Sequence, residues 1–177
     1  MPKKEVIKSI YKFDEKELVL AKDKVIEGCE CDEVIVEEYS EIKKLGEEMI
    51  KLTVEKNGLG LAAPQVGVMR QMFVWMNGAN SFQIVVNPKF FPDAKITNVV
   101  EGCLSYPGEH FYLKRAKSGR AVFEVLDPDD STKLKKVFKR LSGERALVWQ
   151  HELDHLNGVT IAPPTEPAIF NPFSIFF

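Results

Sequence analysis

The chain has few cysteines, three in 177 residues. So small and odd a number excludes a disulfide framework of the kind that staples small secreted domains. It has only three histidines, which makes the placement of each informative. It lacks a strong charge of either sign: 24 Lys and Arg against 26 Asp and Glu leave a formal net charge of -2. That balance predicts neither a specific nucleic-acid partner nor an anionic membrane. It also lacks any apolar run long enough to span a bilayer. Its first residues, MPKKEVIKSIYKFDEKE, have no signal-peptide core and are rich in acids. The expected compartment is the cytoplasm. The length fits one domain over residues 1–177.

What is present reads as a mixed α+β chain. Residues 41–56 carry Ile42, Leu45, Met49 and Leu52 on one helical face, with Ser40 as a cap and Asn57 and Gly58 as a stop. A second helix is expected from about Glu144 to Asn157, capped by Ser142 and ended by Gly158. Residues 71–76 and 82–86 read as strands, and 119–126 with 132–141 as a hairpin around DPDDS. Lys133, Lys135, Lys136, Lys139 and Arg140 in that hairpin read as a solvated strand face. Residues 163–177 mix four prolines with four phenylalanines. This composition predicts an irregular strip laid on the body rather than a helix. Cys29 and Cys31 form a C-x-C pair, read as two ordinary thiols rather than a second metal site.

The strongest chemical signal is HELDH, residues 151–155. Residues four apart share a helical face, so His151 and His155 can hold one metal ion between them. Glu152 can then reach a water activated by that metal and serve as general base. A catalytic site of this kind needs a third protein ligand and one open position. Ile161, where extended H-E-x-x-H-x-x-G-x-x-H proteases carry histidine, cannot ligate. Glu166 and, upstream in EGCLS, Cys103 remain as candidates. GLGLAAPQVG, residues 58–67, offers flexible glycines and the amide of Gln65, which can donate to a developing oxyanion.

Taken together and in this order, GLGLAAPQ, EGCLS and QHELDH resemble the three signature motifs of the peptide deformylases. The resemblance covers roughly Asn57 to Gly158. It implies an α+β fold in which antiparallel strands surround a central helix carrying HELDH, with a second helix N-terminal to it. It implies metal ligation by Cys103, His151 and His155, a general base at Glu152, and oxyanion donors at the Gln65 side chain and the Leu104 backbone N–H. Gly58, Leu59, Gly60, Val99, Gly102, Leu147 and Val148 match positions that hold the peptide and its methionine side chain. Glu101, Arg115 and Asp154 match charged positions expected to pair behind the ligands. His110 stands where many relatives carry arginine. The implied activity is hydrolysis of the N-formyl group from formylmethionyl polypeptides. The implied metal is Fe(II), with Zn, Ni or Co as plausible substitutes, and the ribosome is a transient partner. A peptide-bond metallopeptidase using the same HELDH is the main alternative; a structural zinc module is the other.

Overall fold

The computed structural model describes residues 10–13, 18–20, 28–78, 81–127, 129–130, 132–161 and 175–176. Period-2 alternation in a short apolar strand organises its interior. In β2 (Met72–Met76), Phe73 and Trp75 point to one face and Met72 and Val74 to the other. All four are fully buried because a helix covers each face. Helix α1 (Tyr39–Glu55) lays Ile42, Leu45 and Met49 on the Met72 and Val74 side. Helix α2 (Glu144–Leu156) lays Ala146, Val148 and Trp149 on the Phe73 and Trp75 side. The Trp149 ring meets Phe73 at 4.9 Å and Trp75 at 5.1 Å, both edge to face. Such pairs add about 0.5–1.5 kcal/mol each beyond the area they bury.

β2 belongs to an antiparallel sheet of five strands, in the order β1 (Gly60–Ala62), β2, β3 (Phe82–Pro92), β6 (Ser118–Leu126), β7 (Leu134–Ser142). β6 and β7 form the expected hairpin, in register from Ser118 opposite Ser142 to Leu126 opposite Leu134. The second sheet pairs β4 (Ile96–Cys103) with β5 (Tyr106–Ala116) antiparallel, and β4 with the two-residue β8 (Ile175–Phe176) parallel. The architecture is therefore α+β, with two α-helices and mainly antiparallel strands among the described residues, as the motifs implied. Most of 163–177, expected to be an irregular strip, lies outside the described residues, and so does Glu166. Among the described residues no helix is long and apolar enough to cross a membrane.

Several local expectations change. β3 does not stop at Val86 but continues through a register shift to Pro92. Ser40 and Ser142 do not cap the helices. A 3-10 turn (Val36–Glu38) leads directly into α1, whose first flanking residue is Glu38, and α2 starts after Gly143. Neither start has a side-chain cap. Both helix ends follow the expectation. At α1 the N–H of Gly58 donates to the Thr53 carbonyl and that of Asn57 to Val54. Asn57 takes a positive φ of 56°, and this paired closure is the Schellman arrangement. α2 closes the same way, with Val159 donating to Asp154 and Gly158 to His155.

Candidate active site

α2 is fixed in place before its ligands are considered. The Gln150 amide accepts from the backbone N–H of Ala116 at 2.9 Å and donates to the Ala116 carbonyl at 3.0 Å. This two-way clamp ties the middle of α2 to the end of β5. With Trp149 turned to the five-stranded sheet, His151 and His155 fall on the other side, Glu152 faces Gly60 of β1, and all three are almost completely buried. The two imidazole Nε2 atoms lie 3.2 Å apart, and the Cys103 Sγ, at the end of β4, is 3.4 Å from that of His155. Among the described residues these three side chains form a group whose donor atoms all lie within 4.8 Å.

The donors fit a metal. Nitrogen and sulfur bound at about 2.0–2.3 Å in a tetrahedral arrangement sit roughly 3.3–3.7 Å apart. The 3.2 and 3.4 Å separations that His155 makes with His151 and Cys103 are close to that. His151 Nδ1 faces Glu101 Oε2 at 2.9 Å, which directs the ring N–H to the carboxylate and turns Nε2 toward His155 and Cys103. Burial, then His151 and Arg115, lower the His155 pKa well below its ordinary value, which favours its neutral ring, the form that can ligate. Glu101 is held between His151 and Arg115, whose Nε and Nη2 donate to its two oxygens at 2.8 and 2.9 Å. Burial would raise its pKa, but those hydrogen bonds outweigh it and hold the carboxyl at about 2. Arg115 reaches on to Asp154 at 2.5 Å. The expected charged network is thus assembled behind the His151 and His155 rings.

Glu152 and the His155 Nδ1 stand apart from this paired network. The Glu152 Oε2 is buried and has no hydrogen-bond partner among the described residues. Burial raises its pKa well above the usual range, and Glu101 and Asp154 add to the effect. A buried acceptor without a partner costs about 1–3 kcal/mol unless a ligand supplies one. Gly60 explains how it fits: a Cβ there would overlap the Glu152 carboxylate.

Gln65, also buried, sits in a 3-10 turn (Ala63–Val66) after β1. Its Oε1 accepts from the Ala62 N–H at 2.9 Å, which points its Nε2 toward Cys103 Sγ at 3.5 Å and Ser105 Oγ at 3.1 Å. The residues matched to peptide-binding positions are not all brought together. Gly58, Gly102 and Leu104 line a cavity of about 490 Å³ that also borders Cys103, with Tyr106, Glu109 and His110 at its side. Val99 and Leu147 line a second cavity of about 360 Å³, beside Lys117 and Glu144. Val148 packs in the Trp149 cluster, and Leu59 lies against its edge. Ile161 is buried beside Cys103 and Phe111, as packing. Gln150 and Ser105 escaped the sequence reading. The single available signal was their place inside the motifs EGCLS and QHELDH.

The model of the polypeptide deformylase family matches residues 15–167. The chain belongs to that family. The peptide deformylase of Thermotoga maritima is 38% identical over 128 residues, 72% of this chain and 74% of the relative. Peptide deformylase 1 of Clostridium perfringens is 39% identical over 120 residues, 67% and 77% of the two chains. Among solved structures, the K1U-bound class I type b peptide deformylase of Acinetobacter baumannii superposes with a TM-score of 0.72. It has 26% identity and covers 81% of this chain and 96% of that one. The Thermus thermophilus peptide deformylase gives 0.69 with 32% identity, over 82% of each chain. As a member of the peptide deformylases, the chain is a metal-dependent hydrolase with a single catalytic metal, acting on formylated nascent peptides. The metallopeptidase alternative is not favoured. A structural zinc module has no use for a buried, unpartnered Glu152 beside its ligands.

Proposed function

We propose that Glu152, Gln65 and Leu104 carry out formyl-group hydrolysis, with Cys103, His151 and His155 holding one divalent metal. The observation that carries this reading is the buried, unpartnered Glu152 carboxyl beside three convergent donor atoms. When bound, the metal supplies Lewis acidity, polarising the formyl oxygen and acidifying water. Glu152 accepts the proton of the attacking water and later gives it to the leaving amine, so that formate and a free methionyl N-terminus are released. Its raised proton affinity suits the second half of that task. Gln65 Nε2, oriented by the Ala62 N–H, and the backbone N–H of Leu104 donate to the charge that develops on the formyl oxygen.

Gly58, Leu59, Gly60, Gly102, Val99, Leu147 and Val148 shape the seat of the peptide and its methionine side chain in this reading. A sulfur and two nitrogens accommodate Fe, Co, Ni or Zn; Fe(II) is the ion we assign to the native protein. The cytoplasm, with transient contact at the ribosome, is where formylated nascent chains would meet the site. The test is Glu152→Ala, loaded with nickel and assayed on a formylated peptide. It should retain the metal and lose about 10²–10⁴-fold in rate. A rate within about threefold of the parent would remove Glu152 from the mechanism.

A further inference from the structure

His155 gives its ring to the active site and its backbone carbonyl to a different group of atoms. Cys29 Sγ donates to that carbonyl at 3.5 Å, and Cys29 Sγ and Cys31 Sγ are 3.9 Å apart. The segment that carries them is pinned to the end of α2. The Gly28 N–H donates to the Gly158 carbonyl at 2.8 Å, and a Cβ at Gly158 would come within 2.6 Å of the Cys29 nitrogen. Gln71 Nε2 holds the Cys31 carbonyl at 3.3 Å. Neither thiol is fully buried. Cys31 borders an open cavity of about 500 Å³ that Glu33, Gln71, Asn87 and Asn157 also line. The two thiols are therefore juxtaposed, held and accessible, which the sequence expectation of two ordinary thiols does not describe.

Two features select what would bind there. The carbonyls that end α2 form the negative end of its dipole, which favours a cation and disfavours bare thiolates. Burial and the neighbouring Cys29 push the Cys31 thiol up to about 12, which makes Cys31 a poor nucleophile for oxidation. A soft ion that displaces the protons suits both facts. Among the described residues no third His, Cys, Asp or Glu side chain joins the pair, so a closed four-ligand zinc site is absent there. Two sulfurs and a backbone carbonyl suit a low-coordinate, thiophilic ion.

We propose that Cys29 and Cys31 form a second metal site, separate from the catalytic one, for a soft d10 cation of the monovalent-copper type. Both thiols release their protons to solvent as the ion binds, with the His155 carbonyl alongside. The test uses the full chain with nickel in the catalytic site, under anaerobic conditions, titrated with Cu(I). Elemental analysis should find one nickel and one copper per chain. At about ten times the dissociation constant, alkylation of Cys29 and Cys31 should slow about tenfold. The Cys29→Ser, Cys31→Ser double variant should keep nickel and take up no copper. Copper that enters only by displacing nickel, that binds the double variant equally, or that leaves alkylation unchanged overturns the proposal. Should the double variant fail to hold nickel, the alkylation rates of the unsubstituted protein decide the matter.

Discussion

Replacing Gly60 by alanine should disable the enzyme without disturbing its metal. The added Cβ would overlap the Glu152 carboxylate oxygen and lie 2.8 Å from its Cδ and 3.1 Å from its Cγ. Gly60 is held in register opposite Trp75 in the β1–β2 ladder, so the backbone cannot easily retreat. The carboxylate must move instead, by about 1 Å to restore van der Waals contact. A misplacement of that size is worth about 10²-fold in rate, within the 10²–10⁴-fold that a general base contributes. Folding should be affected little: Gly60 does not have a positive φ, and alanine also loses less chain entropy on folding. Metal content, thermal midpoint and kcat/KM on a formylated tripeptide would be measured for Gly60→Ala, Glu152→Ala and the double variant. If Gly60 acts only by making room for Glu152, the double variant should be no slower than Glu152→Ala. A Gly60→Ala enzyme within about threefold of the parent, or two losses that multiply in the double variant, would refute the reasoning.

Cys103→Ser should lose most of its metal on dialysis, since no other described side chain can replace the thiolate beside the two imidazoles; full occupancy by elemental analysis would contradict the ligand set. Gln65→Leu should lower kcat by about 10²–10³-fold with a smaller change in KM, because its amide faces charge present mainly in the transition state. An effect confined to KM would make it a substrate-positioning residue. Glu101→Gln should destabilise the metal-free protein at neutral pH by about 3 kcal/mol. That figure converts the lowering of the Glu101 pKa from 4.5 to about 2 at 1.36 kcal/mol per unit. Because the folded pKa is the lower one, the stabilisation is present above pH 4.5 and fades as pH falls toward 2. Urea unfolding should therefore show the gap between parent and variant narrowing over that window. A gap that is absent, or constant with pH, would contradict the role given to the Arg115 and His151 contacts.

The features legible in the sequence were those whose cause is local. HELDH puts two imidazoles on one face by helical spacing, and Asn57 and Gly158 mark helix ends by the conformation they tolerate. The β6–β7 hairpin shows in its polar turn. What escaped depends on distant partners. β5 begins Tyr106-Pro107-Gly108-Glu109, which reads as a turn, and much of the strand is exposed, so no alternation announces it. Asn87-Pro88 lies just past the strand expected over 82–86, yet inside β3. Asn87 bonds Val34 through its side chain while the strand shifts register around it. Ser40 looked like a cap, but the preceding 3-10 turn already supplies the helix start. Arg115 lies 14 residues from Glu101 and 39 from Asp154. No periodicity connects them, and only likeness to a family proposed their meeting. The Gln150 clamp on Ala116 spans 34 residues, and Gln150's place in QHELDH says nothing of that partner.

The central claim is that the Cys103, His151 and His155 cluster, with Glu152, hydrolyses formyl amides rather than peptide bonds. Anaerobically purified, metal-loaded protein incubated with formyl-Met-Ala-Ser and, separately, with Met-Ala-Ser tests it directly, with formate and free tripeptide followed together. The account predicts stoichiometric formate and intact Met-Ala-Ser from the formylated peptide, and no reaction of the unformylated one. Cleavage of the Met-Ala or Ala-Ser bond, or no formate from a protein shown to carry its metal, would contradict it.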